Sequence, residues 1–121
     1  MAKKGTKTIT NTKSIMKIHA SSTDRIGSKL FYQHIVELAR EKGIAGATVY
    51  RGIMGYGSSS RITSSRFWEL TEKLPVVIEL VDDTTRLETF YTEIEEELIR
   101  MPKGCMVVIH PVSVLLRKKG V

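Results

Sequence analysis

At 121 residues the chain is long enough for one domain with a core of its own, and 41% hydrophobic with 26% charged residues is an ordinary globular composition. No apolar run approaches the roughly 18–20 residues of a membrane span. The basic start, Met1 to Lys7, leads into polar Thr and Asn rather than a secretory apolar stretch, so a cytoplasmic protein is expected. A single Cys105 excludes an intramolecular disulfide and a Cys-rich zinc module. The net charge of +6 is uneven: Lys3, Lys4, Lys7, Lys13 and Lys17 lie at one end, Arg117, Lys118 and Lys119 at the other. All 13 acidic residues fall between Asp24 and Glu97. Basic ends around a slightly acidic body fit solvated tails better than the single basic face of a nucleic-acid binder, so nucleic acid is not the expected partner.

Residues 1–14 read as a basic polar tail, 15–116 as the domain and 117–121 as a basic C-terminal tail. From Ile15, Met16, Ile18 and Ala20 alternate with Lys17 and His19, the period of a half-buried strand. Ser21 to Asp24 breaks that pattern as a polar loop. A helix is expected from about Ser28 to Lys42, with Phe31, Ile35, Leu38 and Ala39 as its apolar stripe and Gly43 as a left-handed stop. Ile44 to Ile53 reads as the second strand. Gly55 to Leu74 is rich in Gly and Ser, with at most a short helix around Arg66–Leu70, and so long an irregular stretch inside a small domain points to function or disorder. After Pro75, Val76 to Val81 forms the third strand. The second helix starts near Thr85, which with Glu88 matches a capping box, and Leu87, Phe90, Tyr91, Ile94, Leu98 and Met101 keep helical spacing. Pro102 and Gly104 end it, and Cys105 to Leu116 is the last strand, with Pro111 marking a bulge or an edge.

The order is βαββαβ. It predicts an α+β, ferredoxin-like sandwich: a four-stranded antiparallel sheet with both helices on one face and a long loop between strands 2 and 3. Val77 and Val81 then point away from the helices, and an apolar sheet face left in water marks self-association.

The strongest local signal is Arg51-Gly52-Ile53-Met54-Gly55-Tyr56-Gly57, where glycines permit positive φ and a close backbone approach to phosphate. Its GxxGxG spacing is neither the dinucleotide fingerprint nor a P-loop. Arg51, Arg61 and Arg66 can supply charge-assisted bonds to an anion, or simply balance Glu69 and Glu72. Arg117-Lys118-Lys119 can hold a phosphate or be a solvated tail. Phe67 and Trp68 can stack on a ligand, contact a partner or anchor the loop. Enzyme signatures are missing: no GxSxG elbow surrounds the serines, and no nucleophile–base pair is identifiable. His19, His34 and His110 stand on three separate elements without metal-ligand spacing, and Cys105 reads as a small core residue.

The run Gly43 to Gly57, followed by Leu74-Pro75-Val76-Val77-Ile78-Glu79 and preceded by Ser22 to Phe31, resembles the PII-like family known as domain of unknown function 190. The resemblance covers about residues 15–116, and Val107 to Arg117 is more distantly similar to the last strand of true PII proteins. It implies a homotrimer with nucleotide clefts between subunits at the base of the long loop. By position, Gly52, Gly55 and Gly57 would face phosphates, Arg117 and Lys118 would reach in from the C-terminal strand, and Gly104 would match a glycine before that strand. The sequence departs from the pattern at Thr63, where the family commonly has His, and has no counterpart of the PII glutamine and lysine that bind nucleotide and effector.

The leading expectation is therefore a non-enzymatic regulator with no cofactor. It would bind a small anion, an adenine nucleotide favoured, through Arg51, Gly52, Gly55, Gly57, Arg61, Gly104, Arg117 and Lys118, and signal to a protein target through the 55–74 loop. The alternatives are a ligand-free scaffold or transporter-regulating subunit that docks through Phe67 and Trp68, and a metal-binding trimer using His19 or His110.

Overall fold

A computed structural model describes residues 12–57, 62–64 and 73–120. In chain order the elements are β1 (Lys13–Ser21), β2 (Arg25–Ile26), β3 (Lys29–Leu30), α1 (Phe31–Glu41), β4 (Gly46–Arg51), β5 (Met54–Gly55), β6 (Thr63–Ser64), β7 (Pro75–Asp83), α2 (Thr84–Arg100) and β8 (Met106–Val112). The main sheet has the order β4-β7-β1-β8, with every neighbouring pair antiparallel. Each helix links two strands that a third strand separates, which is the ferredoxin-like sandwich expected from the hydrophobic pattern.

The two central strands alternate between faces. Met16 and Ile18 of β1, and Val76, Ile78 and Leu80 of β7, are buried beneath the helices. Phe31, Ile35 and Ala39 of α1 and Leu87, Phe90, Ile94 and Leu98 of α2 close over them. Each of these side chains larger than Ala39 contributes about 1.5–3 kcal/mol by leaving water, which is why the 3.6-residue stripes and the strand alternation both survive into the structure.

Several boundaries differ from the sequence expectation: β1 already begins at Lys13, inside the expected tail, and β4 spans Gly46–Arg51 rather than Ile44–Ile53. Helix α1 begins at Phe31 rather than Ser28, because Gly27 at φ 62° turns Arg25–Ile26 back onto Lys29–Leu30 as a small hairpin. The last strand ends at Val112 rather than Leu116, and residues 113–120 continue without regular structure. Pro111 lies in β8, which is an edge strand of the sheet, as a missing N–H requires. The capping box is not formed. Helix α2 starts at Thr84, its N-cap Asp83 makes no side-chain cap bond, and Thr85 already lies inside the helix. Thr84 instead donates its N–H and its hydroxyl to the Thr12 carbonyl, at 2.7 and 2.9 Å, and its hydroxyl shares a 2.6 Å hydrogen bond with the buried Ser14. A cap drawn from a residue 72 positions away leaves no local sequence signature.

Gly43 does take the left-handed conformation, at φ 80°, as a helix stop should. The turn that follows is held by a carboxylate that the sequence did not single out. Asp82, at the end of β7, is 7% exposed. Its Oδ2 accepts the Ala45 N–H at 2.9 Å and the Arg86 Nε–H at 3.1 Å, and its Oδ1 accepts the Asp83 N–H at 2.6 Å. Arg86 Nη2 also donates to the Gly43 carbonyl at 2.7 Å. One Asp–Arg pair thus fixes both residues flanking Ile44 and seats that side chain against the core.

Candidate functional site

The sheet has two ends that matter for ligand binding. At the first, Arg51 of β4 lies opposite Val76, Ser21 of β1 opposite Pro75, and His19 opposite Met106 at the start of β8. The base of the 55–74 segment, the 21–24 loop and the Lys103–Cys105 connection therefore converge there. Ser22 straps the entry to β7, its N–H donating to the Leu74 carbonyl at 2.8 Å and its Oγ accepting the Leu74 N–H at 3.0 Å. Asp24, although in a polar loop, is 4% exposed, and its Oδ2 accepts the Ser21 N–H.

Two of the glycines at this end, Gly52 and Gly55, have a packing role as well. Among the described glycines only Gly27 and Gly43 have positive φ, so Gly52, Gly55 and Gly57 do not need glycine for a left-handed backbone. A Cβ on Gly52 would stand 3.0 Å from Pro75 Cγ, and one on Gly55 would stand 3.3 Å from it. The Gly52 N–H donates to the Pro75 carbonyl at 2.7 Å and is thereby occupied. Gly52 and Gly55 let the chain close onto the Pro75 ring, and this seats the β5–β6 ribbon on the start of β7. Gly57 has nothing within 4 Å of a built Cβ. Gly52→Ala should therefore lower stability by about 1 kcal/mol through overpacking. Adding Pro75→Ala should cancel most of the loss, and Gly57→Ala should be neutral. Urea midpoints of the two single variants, the pair and Gly57→Ala test this; additive losses for Gly52→Ala and Pro75→Ala would reject the contact.

Arg51 is exposed and makes no ion pair or side-chain hydrogen bond among the described residues. Lys73 and Gly104 are exposed near the same end. Arg61, Phe67 and Trp68, with Arg66 and the short helix expected around it, lie outside the described residues.

Arg117 and Lys118 belong to the opposite end. Val112 lies opposite Lys13, which lies opposite Asp83, and Gly46 pairs with Val81. The exposed tail crosses this end until Arg117 Nη2 reaches the Ala45 carbonyl at 3.4 Å. Ala45 and Arg51 are six residues apart along an extended strand, roughly 20 Å. Within one chain the two halves of the predicted anion site do not meet.

Cys105 is exposed at the approach to β8 rather than in the core, because β8 is an edge strand with little covering its first residues. Partial desolvation, and then the charge of Asp24, push its thiol above the ordinary value, away from the thiolate form that a nucleophile needs. His34 Nε2 meets Glu97 Oε1 at 3.0 Å between the helices, whereas His19 and His110 stand on the face of the sheet away from the helices. Among the described residues no three His, Cys, Asp or Glu side chains come together to hold a metal ion.

That outer face carries the apolar groups expected of it. One row across the strands reads Met106, His19, Val77, Tyr50; the next Val108, Lys17, Glu79, Thr48; the next His110, Ile15, Val81, Gly46. Met106, Val108 and Tyr50 are exposed, and Tyr50 donates its hydroxyl to Glu79 Oε1 at 3.1 Å. Desolvation and the Glu79 carboxylate raise the Tyr50 hydroxyl above its ordinary pKa, so it stays a donor. Leu115 and Leu116 of the tail are exposed as well.

The comparisons with known proteins agree with this architecture. Residues 13–114 match the model of the DUF190 family, described as "Uncharacterized ACR". A UPF0166 protein of Aquifex aeolicus is 36% identical over 83 residues, spanning 69% of this chain and 79% of the relative. A UPF0166 protein of Methanocaldococcus jannaschii is 41% identical over 68 residues, 56% of this chain and 62% of that one. Among solved structures, CPII, a nitrogen regulatory PII-like protein from Thiomonas intermedia K12 bound to ADP, AMP and bicarbonate, superposes with a TM-score of 0.62. It is 11% identical, with 83% of this chain and 85% of that chain covered. By its sequence match the chain belongs to the DUF190 family, and its strand order is that of a PII-like fold.

Proposed function

We propose that this chain is a cytoplasmic, non-enzymatic regulatory subunit that self-associates through the outer sheet face, as a homotrimer, and binds a small anion between subunits. An adenine nucleotide is the favoured ligand, since the PII-like neighbour CPII is bound to ADP and AMP. The observation that carries the reading is the separation of Arg51 from Arg117: two exposed cationic regions at opposite ends of one sheet can converge on one ligand only if a second copy supplies one of them. The apolar outer face supplies the reason for that second copy to be there. Bound anion then reports through the segment rooted on Pro75, whose position Gly52 and Gly55 fix, and that segment signals to a protein target.

A thermal-shift series with ATP, ADP, AMP, cyclic AMP and bicarbonate tests this. A ligand at 100 times its dissociation constant adds about 2.7 kcal/mol to the native state, on the order of 10 °C in Tm for a domain of this size. Arg51→Ala and Arg117→Ala should each abolish the shift. Oligomers reassembled from an equal mixture of the two variants should regain about a quarter of the sites, since a cleft lined by the intact Arg of each variant is complete. No shift with any of these anions would defeat the ligand reading and leave a protein-docking scaffold. A shift without recovery on mixing would place both arginines outside a shared cleft.

A further inference from the structure

The last strand stops before its sequence does. Val112, Val114, Leu115 and Leu116 keep the apolar, partly β-branched composition of a strand, yet β8 ends at Val112. Its partner is what runs out: Val112 lies opposite Lys13, the first residue of β1, and the Thr12 carbonyl before it accepts from Thr84 instead. Beyond that point residues 113–116 make no backbone–backbone hydrogen bond to any described residue, and Leu115 and Leu116 are 94% and 79% exposed. The opposite margin of the sheet has the converse property. Among the described residues β4 pairs only with β7, so its outer side is an open row of N–H and C=O groups. The tail of the same chain does not cover that row. Residues 113–116 are used in crossing the end of the sheet, and Arg117 then reaches Ala45, the residue before β4.

We propose that the 112–117 segment of one copy pairs in parallel with β4 of the next, adding a strand to that copy's sheet. Donor segment and open edge stand on opposite margins of one sheet, so a second copy supplies both in equal number, and head-to-tail addition can close into a ring. Strand β4 is six residues long, and the parallel register sets Val112 beside Gly46 and Arg117 beside Arg51. Leu115 then lies beside Val49, which packs against the core, while Val114 and Leu116 lie beside Thr48 and Tyr50 of the outer face. Both exposed leucines are thereby covered, and the added strand is continuous with the face proposed for self-association. The direction of the pairing rests on the proposed anion cleft. Parallel addition brings Arg117 to Arg51 with the anion between them, whereas antiparallel addition would leave Arg117 at Gly46.

Cysteine cross-linking of the full chain in a Cys105→Ser background, without nucleotide, tests it. Tyr50→Cys with Leu116→Cys should give disulfide-linked oligomers on non-reducing gels after mild oxidation, because facing residues of adjacent strands are within reach of a disulfide. Ala47→Cys with Leu116→Cys, the antiparallel match, should give few. Leu115→Ser with Leu116→Ser should weaken self-association about a hundredfold in sedimentation equilibrium. Neither leucine belongs to the core, so far-UV circular dichroism should be unchanged. Stronger cross-linking through Ala47 would overturn the proposal, as would an intrachain disulfide through Tyr50, which would return the tail to its own β4. Undiminished association of the double Ser variant would overturn it too. The thermal-shift series on the natural chain reads anion binding separately. Cross-linking through Tyr50 without any shift defeats only the ligand reading, and a shift without cross-linking defeats only the strand addition.

Discussion

Asp82→Ala should destabilise the protein by about 3 kcal/mol, the cost of stripping a buried carboxylate from its partners, which is roughly 10 °C in Tm. The carboxylate holds three donors from three places: the Ala45 N–H in the α1–β4 turn, the Asp83 N–H at the end of β7, and Arg86 in the first turns of α2. Alanine leaves the two amides without an acceptor in a nearly dry site and removes the anion facing Arg86. The arginine side chain is half exposed, so water recovers much of its loss; the amides carry the larger share of the cost. Asp82→Asn keeps one acceptor oxygen and should lose less. Arg86→Ala should lose less again, because the amide bonds to Asp82 survive it. Guanidinium midpoints of the three variants give the order, and an Arg86→Ala loss equal to that of Asp82→Ala would mean the ion pair, not the amides, holds the turn.

The same site sets an acid limb of stability. Burial alone would raise the Asp82 pKa, but the N–H donors of Asp83 and Ala45 and the Arg86 guanidinium outweigh it and hold the carboxyl below the usual carboxylate range. A group whose native pKa is depressed binds its proton more readily when unfolded, so its contribution is complete above the unfolded value near pH 4 and fades as pH falls through the native one. The stability gap between the natural chain and Asp82→Asn should accordingly be constant from pH 5 to neutrality and narrow only below about pH 4. A gap that instead closed between pH 6 and 7 would point to a histidine.

The layered fold could be read from the chain because burial against a single layer imprints a period on the residues: Phe31, Ile35 and Ala39 repeat as a helix must, and Val76, Ile78 and Leu80 as a strand must. What the sequence hid is held by contacts between distant residues of ordinary type. Asp82 looks like a loop acid until Ala45, 37 positions away, turns its amide toward it. Thr85 and Glu88 have the spacing of a cap, yet the helix starts one residue earlier on the Thr12 carbonyl. Gly52 and Gly55 stand out by residue type alone, and their packing against the ring of Pro75 is visible only in the structure. The candidate anion residues were chosen by type and by resemblance; only the register of β4 and the path of the tail reveal that Arg51 and Arg117 sit at opposite ends.

If the proposed cleft is shared between copies, the outer sheet face is the decisive surface, and Val81→Asp is the substitution that should affect it most. Val81 is half-buried, with Ile15 and Gly46 as its cross-strand neighbours, so no cation stands directly opposite a new carboxylate there, and of the diagonal lysines Lys13 is already paired with Asp83. Glu79 and Asp83, two positions away on the same face, add like-charge repulsion. Burying an unpaired charge in an interface costs several kcal/mol, so the self-association constant should fall on the order of a thousandfold. Because the side chain faces away from the helices, the fold should survive, and Val81→Lys should dissociate the assembly as well. Ile99→Asp, exposed on α2, is the control that should leave the assembly intact. Sedimentation equilibrium across protein concentration reads the outcome. An assembly unchanged by both Val81 variants would move the interface off this face. Monomers that still bound nucleotide at full affinity would show that one chain suffices, and the cleft shared by Arg51 and Arg117 would have to be abandoned even though the assembly had been correctly placed.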